Sequence, residues 1–177
     1  MTAIGRPTVA VLTNIGDSHL EFFKDRKGVF KEKSAIFKQL RANDCIIYNS
    51  DDGFLRSISR RALPRKKISV GIEQRALYQA KDVDFHSNGL SFCVKGHLIF
   101  LKTLSRENIY NALIAIALGR LFRLSWKKIT ASLRRAKFPQ GRQNICQVSG
   151  FFLIDDTYNA NPTSVASALM TLAIKVS

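Results

Sequence analysis

Residues 155–162 place two carboxylates and several side-chain amides and hydroxyls directly after an apolar run. The run, residues 150–154, is typical of a buried strand. Pro162 suits the first turn of a helix in which Val165 and Leu169 recur at helical spacing. The polar residues are therefore predicted at the carboxyl end of a strand, where α/β proteins bind ligands. An ordinary turn, with Asn and Asp chosen for turn geometry and capping, is the open alternative.

A second polar cluster, residues 13–21, contains Asn, Asp, His and Glu side chains after a β-branched strand at residues 8–13. Divalent metal and phosphate sites are built from such clusters. Mg²⁺ prefers oxygen ligands and retains several waters, so His19 could bind the metal directly or orient a water or substrate oxygen. A capping or partly buried histidine is the open alternative.

A third candidate is Lys33, which follows Phe30 by three residues and precedes Phe37 by four. This spacing places the amine close to the apolar face of a helix. An amine held there can be partly deprotonated and hence reactive. A surface lysine whose stem lies along apolar side chains is the open alternative.

Two further groups could bind a nucleotide. Asn108 and Asn111 lie one helical turn apart, and two amides so placed can read a base edge or cap a helix. Arg142 follows the tight turn at residues 139–141, where a guanidinium suits bidentate phosphate binding. Pairing of this arginine with a carboxylate is the commoner arrangement and stays open.

The elements that position these groups alternate along the first part of the chain. Strands at 8–13, 44–49 and 67–70, with helices at 27–40 and after residue 52, give the βαβ order of a parallel sheet. Residues 78–101 alternate apolar and polar side chains around Ser87-Asn88-Gly89, which predicts an antiparallel hairpin or meander. The remaining predictions are helices at 108–121 and 125–136 (N-cap Ser125), a hairpin of strands 145–148 and 151–154, and a helix from 162.

Composition sets outer limits. With 177 residues, 46% hydrophobic and 23% charged, the chain is globular, and no apolar run reaches the roughly 20 residues of a membrane span. No signal peptide pattern is found, so we expect a cytoplasmic protein. The net charge of +15 could attract polyanions, but the basic clusters are dispersed, which favours solvated surface over a nucleic-acid site. Cys45, Cys93 and Cys146 are widely spaced and are expected to be buried, reduced thiols.

Together these motifs resemble the Mur ligases, ATP-dependent enzymes that add amino acids to the peptidoglycan precursor, over nearly the whole chain. Residues 13–19 are similar to the family's metal-site loop, 32–37 to its carbamylated-lysine helix, and 108–112 to its nucleotide-contacting helix start. Gly141-Arg142 matches as well. Residues 155–162 are most similar to the member that joins D-alanyl-D-alanine to UDP-N-acetylmuramoyl-tripeptide.

The resemblance implies ATP and Mg²⁺ as cofactors. It implies D-alanyl-D-alanine and UDP-N-acetylmuramoyl-tripeptide as substrates, which are joined through an acyl phosphate. It implies that Lys33, as a carbamate, and His19 serve the metal and the chemistry. The residues that it places at the nucleotide are Asn108, Asn111, Arg142, Asp156, Tyr158 and Asn161.

The resemblance also implies an α/β fold in two parts. Residues 1–143 would be the later part of a P-loop-type central domain, with a parallel sheet and an antiparallel hairpin. Residues 144–177 would open a Rossmann-like C-terminal domain. The family's phosphate-binding loop ends in Gly-Lys-Ser or Gly-Lys-Thr, and no glycine in this sequence is followed by Lys and then Ser or Thr. We therefore expect the chain to be inactive alone. Three alternatives stay open: a fragment of a longer protein, one half of a split enzyme whose amino-terminal portion is a separate chain, or a degraded remnant. The second hypothesis is a basic α/β module that binds nucleic acid or other polyanions without catalysis.

Overall fold

A computed structural model describes residues 5–16, 24–60 and 66–176. The strands are β1 (Val9–Leu12), β2 (Cys45–Asn49), β3 (Lys66–Gly71), β4 (Tyr78–Gln79), β5 (Lys81–His86), β6 (Gly89–Val94), β7 (His97–Leu101), β8 (Asn144–Val148) and β9 (Phe151–Asp155). The helices are α1 (Arg26–Ser34), α2 (Gly53–Arg56), α3 (Glu107–Leu121), α4 (Trp126–Arg134) and α5 (Pro162–Val176). Short 3₁₀ turns, Ala35–Gln39 and Ser57–Arg60, extend α1 and α2.

Strands β1 to β4 form one parallel sheet in sequence order. Every residue of β2 is buried, as expected of a parallel strand that is covered on both faces. Ile46 and Tyr48 pack with α1 and α2 on one face, while Cys45 and Ile47 pack with α3 and the antiparallel sheet on the other. The βαβ prediction is confirmed.

Strands β5, β6 and β7 form the predicted antiparallel meander, with the first turn between His86 and Gly89. The prediction is wrong for Tyr78, which pairs with Val70 and extends the parallel sheet as β4. A strand of two residues is too short to show a hydrophobic pattern of its own, so the sequence could not assign Tyr78 to the parallel sheet and not to the meander.

Helices α3 and α4 cover the core that is formed with the antiparallel sheet. The Ser125 hydroxyl accepts a hydrogen bond from the Lys128 amide at 3.3 Å, which confirms the predicted N-cap of α4. The Trp126 ring stacks on His97 of β7 with ring centroids 4.1 Å apart. None of the helices in the described part of the chain is long and apolar enough to cross a membrane.

Strands β8 and β9 form the predicted hairpin, and α5 begins at Pro162 as predicted. The prediction of a buried strand at 150–154 is wrong, since Phe151 is 77% exposed and Phe152 and Leu153 are also exposed. A two-stranded ribbon cannot cover its own faces. For the same reason Cys146 on β8 is exposed, whereas Cys45 is buried as predicted, and all three thiols are free.

Candidate active-site cleft

The carboxyl ends of β1 and β2 meet at one edge of the parallel sheet because the two strands run in the same direction. Asp52, just after β2, accepts hydrogen bonds from the amides of Phe54 and Leu55 and so caps α2. Its second oxygen accepts from the Ile15 amide at 2.7 Å. One carboxylate therefore holds together the loops that follow the two strands.

Helix α1 is fastened to the loop after β1 by two cationic side chains. The Lys33 Nζ donates to the Asn14 carbonyl at 3.0 Å, and the Arg26 guanidinium donates to the Ile15 carbonyl at 2.6 and 3.1 Å. Lys33 is exposed, as expected of a surface lysine. Its amine nevertheless has a fixed position beside the polar loop.

The predicted metal ligand His19 lies outside the described residues, as do Asp17 and Glu21. Within the described ranges no group of three or more His, Cys, Asp or Glu residues is arranged to hold a metal ion. The Lys33 amine contacts the Asn14 carbonyl, and Asn14 lines the cleft together with the neutral oxygen-bearing residues Thr13 and Asn49. Mg²⁺ usually binds one or two anionic oxygens of the protein, retains several waters and binds substrate phosphates, so an anionic ligand would have to complete this set.

The amino-terminal end of α3 presents the two predicted amides on one face. The Asn111 amide donates to the Asn108 side-chain oxygen at 3.1 Å, and the Asn108 amide donates to the Thr103 hydroxyl at 3.2 Å. The two asparagines are thus fixed relative to each other and to the loop before the helix.

Asp51 anchors this helix end to the sheet. Its carboxylate accepts hydrogen bonds from the Tyr110 hydroxyl at 2.9 Å and from the amides of Ile72, Glu73 and Gln74 at 2.7 to 3.0 Å. Burial opposes its ionisation, but the backbone and tyrosine donors outweigh that effect and lower the pKa of Asp51. Burial and the bond to Asp51 in turn raise the pKa of Tyr110.

The opposite wall is formed by residues after β9 and by the turn before β8. The Arg142 guanidinium carbon lies 3.9 Å from the centroid of the Tyr158 ring. The Tyr158 amide donates to the Gly141 carbonyl at 3.0 Å. Gly141 has φ +70°, and a Cβ there would lie 3.1 Å from the Tyr158 nitrogen, so the turn can approach this closely only with glycine.

Local hydrogen bonds shape the loop between β9 and α5. The hydroxyl and amide of Thr157 donate to Asp155, and they hold the pKa of that carboxyl below its usual value. The side-chain oxygen of Asn161 accepts a hydrogen bond from the Ser164 backbone amide at 2.9 Å, and the Asn161 backbone amide donates to the Ser164 hydroxyl at 3.0 Å. This reciprocal capping matches the turn alternative for Asn161, whose side chain also borders the cleft.

These walls enclose a cleft of about 510 Å³, within the usual range of about 300 to 1,000 Å³ for small-molecule sites. All six residues expected at a nucleotide line it: Asn108, Asn111, Arg142, Asp156, Tyr158 and Asn161. Thr13, Asn14 and Gly16 line it from the loop after β1. Lys33 does not line the cleft, but its amine donates a hydrogen bond to the carbonyl of Asn14, which does.

Two residues of this site had no role in the sequence-based prediction. Asp51 precedes the predicted helix after residue 52, and Tyr110 lies between the two asparagines of the predicted nucleotide site. Their partnership joins positions 59 residues apart. The one usable signal was the consecutive pair Asp51-Asp52 after a strand, since a single N-cap needs only one of them.

Comparison with known families matches residues 1–119 to the Mur ligase middle domain. Over 172 residues the chain is 30% identical to the UDP-N-acetylmuramoyl-tripeptide--D-alanyl-D-alanine ligase of Bacillus subtilis (strain 168), covering 96% of this chain and 37% of that protein. The fold is similar to a crystal structure of MurF from Acinetobacter baumannii, with TM-score 0.89, 29% identity, and coverage of 98% of this chain and 39% of that one. It is also similar to the MurF ligase from Thermotoga maritima in complex with ADP, with TM-score 0.84, 25% identity, and coverage of 97% and 40%. The chain therefore spans about two fifths of the length of these relatives.

Proposed function

Since the chain belongs to the Mur ligase family, we propose that it contributes the nucleotide-facing part of a ligase that joins D-alanyl-D-alanine to UDP-N-acetylmuramoyl-tripeptide. The observation that carries the proposal is the single cleft between α3 and the loop after β9. Six side chains expected at ATP meet there from two parts of the chain that are far apart in sequence. A relative of known structure was solved with ADP, which supports a nucleotide as the ligand.

In the proposed reaction, the terminal carboxylate of the tripeptide attacks the γ-phosphorus of ATP and ADP leaves. The amine of D-alanyl-D-alanine then attacks the acyl carbon, inorganic phosphate leaves, and the amine loses a proton. Arg142 would neutralise phosphate charge, and the contact with Tyr158 would hold its guanidinium in the cleft. Asn108 and Asn111 would orient the nucleotide through their amides.

Magnesium, when bound, would supply charge neutralisation for phosphoryl transfer. The neutral oxygens of Thr13, Asn14 and Asn49 fit a hydrated ion that also binds phosphate. Lys33, with its amine 3.0 Å from the Asn14 carbonyl, would join this set as the proposed carbamate. His19 is proposed as a partner of the same ion.

The proposal extends to domain organisation. Residues 1–143 would belong to the central ATP-binding domain, and residues 144–177 would begin the next domain. The exposed apolar side chains Phe151 and Leu153 on β9 and Leu169 and Met170 on α5 support this division, because a stable domain would cover such a surface. The chain alone, without a Gly-Lys-Thr or Gly-Lys-Ser loop, is proposed to lack ligase activity in the cytoplasm unless a partner chain supplies that loop.

A chimera tests the proposal. The segment of the Bacillus subtilis relative that aligns with this chain is replaced by this chain, and ADP release is measured with and without each substrate. We expect release that requires both UDP-N-acetylmuramoyl-tripeptide and D-alanyl-D-alanine. A folded, soluble chimera that binds no nucleotide and releases no ADP would overturn the proposal.

Lys33→Ala in the chimera tests the assignment of the metal site. We expect the rate to fall by about 100-fold or more, the size seen when a group that neutralises developing charge is lost. Lys31→Ala is the matched control, since Lys31 is exposed on the same helix and should leave the rate unchanged. Equal rates for the two variants would remove Lys33 from the mechanism and leave the nucleotide cleft to be tested separately.

A further inference from the structure

The turn between α3 and α4 presents apolar and cationic side chains to solvent side by side. Phe122 is 68% exposed and Leu124 is 43% exposed. Arg123 lies between them, and Lys127 and Lys128 follow in the first turn of α4, all three exposed. We call these five residues the helix-turn surface.

The charge around this surface is of one sign. Between Glu107 and Asp155 the sequence contains eight Arg or Lys residues and no Asp or Glu. Arg134 and Arg135 continue the exposed basic face of α4. In the part of the chain that the structure describes, no carboxylate forms an ion pair with Arg123, Lys127 or Lys128. Their charges are therefore available to a partner.

Helix stability does not account for Arg123, Lys127 or Lys128. Lysines in the first turn of a helix oppose its dipole, and the first turn of α4 has no acidic residue to offset them. Arg123 has φ +61° at the end of α3, a position where glycine is the usual residue. Phe122 stays largely exposed. A surface that keeps three unfavourable features is better explained by a partner than by packing.

The chemistry of the partner follows from the mixture of side chains. A groove runs from this surface between the two helices, lined by Ala115, Gly119, Leu124 and Ile129 with Lys128 and Arg135 at its sides. A single-stranded nucleic acid would use the cations and stack on Phe122, but it does not need the aliphatic lining of the groove. An anionic lipid bilayer uses both, because phosphates bind the cations while apolar side chains enter the interface.

We propose that the helix-turn surface docks this chain on anionic lipid bilayers, with Phe122 and Leu124 entering the interfacial layer and Arg123, Lys127 and Lys128 contacting lipid phosphates. The contact is peripheral and reversible, since two apolar side chains and a few cations are far short of a membrane span. The cleft at the carboxyl edge of the parallel sheet has no part in it. The proposal is therefore independent of the ligase assignment.

Cosedimentation of the full chain with vesicles tests the proposal. The vesicles contain equal parts phosphatidylglycerol and phosphatidylcholine, or phosphatidylcholine alone, at about 0.1 M salt, where surface charges still act over about 10 Å. We expect binding to the anionic vesicles alone. The double variants F122S/L124S and K127E/K128E should each weaken it by about tenfold or more.

The matched control is K31E/K38E, which makes the same change in net charge at two exposed positions of α1 and the 3₁₀ turn after it, on the other side of the parallel sheet. It should bind as the unmodified chain does. Circular dichroism confirms that each variant is folded. Equal loss in the control, or no binding to anionic vesicles, would overturn the proposal.

A DNA duplex at the same salt separates lipid from nucleic acid. We expect the chain to bind the duplex much more weakly than it binds anionic vesicles. If the duplex binds as tightly, and F122S/L124S weakens neither complex while K127E/K128E weakens both, the surface recognises phosphate charge alone and the lipid proposal is wrong.

Discussion

The Arg142 guanidinium stacks on the Tyr158 ring, 3.9 Å from its centroid, and this contact joins the turn before β8 to the loop after β9. The two residues line the same cleft as Asn108 and Asn111 of α3. A guanidinium plane that lies over an aromatic ring can direct its N–H groups past the edge of the ring, where they can bind an anion. Tyr158 is thus a positioning residue for Arg142.

Replacing Tyr158 separates positioning from catalysis. In the chimeric ligase, Tyr158→Ala should raise the KM for ATP by about two- to fivefold, the value of one partly exposed cation–π contact, and leave kcat nearly unchanged. Tyr158→Phe retains the ring and should behave like the unmodified chimera. Initial rates at varied ATP concentration measure both constants. A tenfold fall in kcat with either variant would contradict a purely positioning role.

Gly141→Ala is expected to cost more than Gly150→Ala, although both glycines have positive φ. Gly141→Ala adds a Cβ at 3.1 Å from the Tyr158 nitrogen, whereas Gly150, at φ +85°, has open space around it. Gly150→Ala therefore isolates the cost of the left-handed backbone, about 1 to 2 kcal/mol. We expect Gly141→Ala to lower the free energy of unfolding by about 1 kcal/mol more than that. Urea unfolding curves of the two variants make the comparison, and equal losses would show that the turn is not closely packed.

Asp51 should give the stability of the chain a specific pH dependence. Its pKa is lowered in the fold, so its contribution is present above the unfolded value of about 3.9 and is lost as the pH falls through the folded pKa. Asp51→Asn should lower the free energy of unfolding by about 1 to 3 kcal/mol at neutral pH, because amide donors lose a charged acceptor. The gap between the two proteins should close only in acid, below about pH 4.

The control for Asp51 is Asp82→Asn. Asp82 is exposed and has φ +51°, a conformation that asparagine also tolerates. Denaturant midpoints measured from pH 3 to pH 8, a range chosen to bracket the ordinary Asp value of about 3.9, should show little change for this variant. A gap between Asp51→Asn and the unmodified chain that widens in acid would have the wrong sign.

The three cysteines should react at different rates. Cys146 is exposed, whereas Cys45 is buried, and its burial raises the pKa of the thiol despite the nearby Lys66. The thiolate is the reactive form, so we expect Cys146 to be labelled first and Cys45 only on unfolding. A thiol reagent followed by peptide mass analysis gives the order. Rapid labelling of Cys45 in the native chain would contradict the buried core around β2.

The sequence predicted most of what depends on local pattern. The position of the loop after β9 follows from an apolar run that ends before Pro162, and the N-cap of α4 follows from Ser125 before the helix. Parallel pairing follows from the βαβ order. These features need only neighbours in the chain, so a single sequence carries them.

What could not be predicted depends on distant partners. An apolar run indicates a strand but not how many strands or helices cover it, so the exposure of Phe151 was missed. The role of Asp51 depends on Tyr110 and on the amides after β3, which only the folded sheet brings to it. Convergence of Asn108 and Arg142 on one cleft was implied by family resemblance, while their spacing alone left capping and ion pairing open.

The most direct test of the central claim is a titration of the ¹⁵N-labelled chain with ADP and MgCl₂ into the millimolar range, followed by NMR. We expect the backbone amides of Asn108, Asn111, Arg142 and Asp156 to shift together with one dissociation constant, and Arg142→Ala to weaken this binding. Shifts confined to one wall of the cleft, shifts elsewhere on the chain, or no shifts at all would contradict a shared nucleotide site.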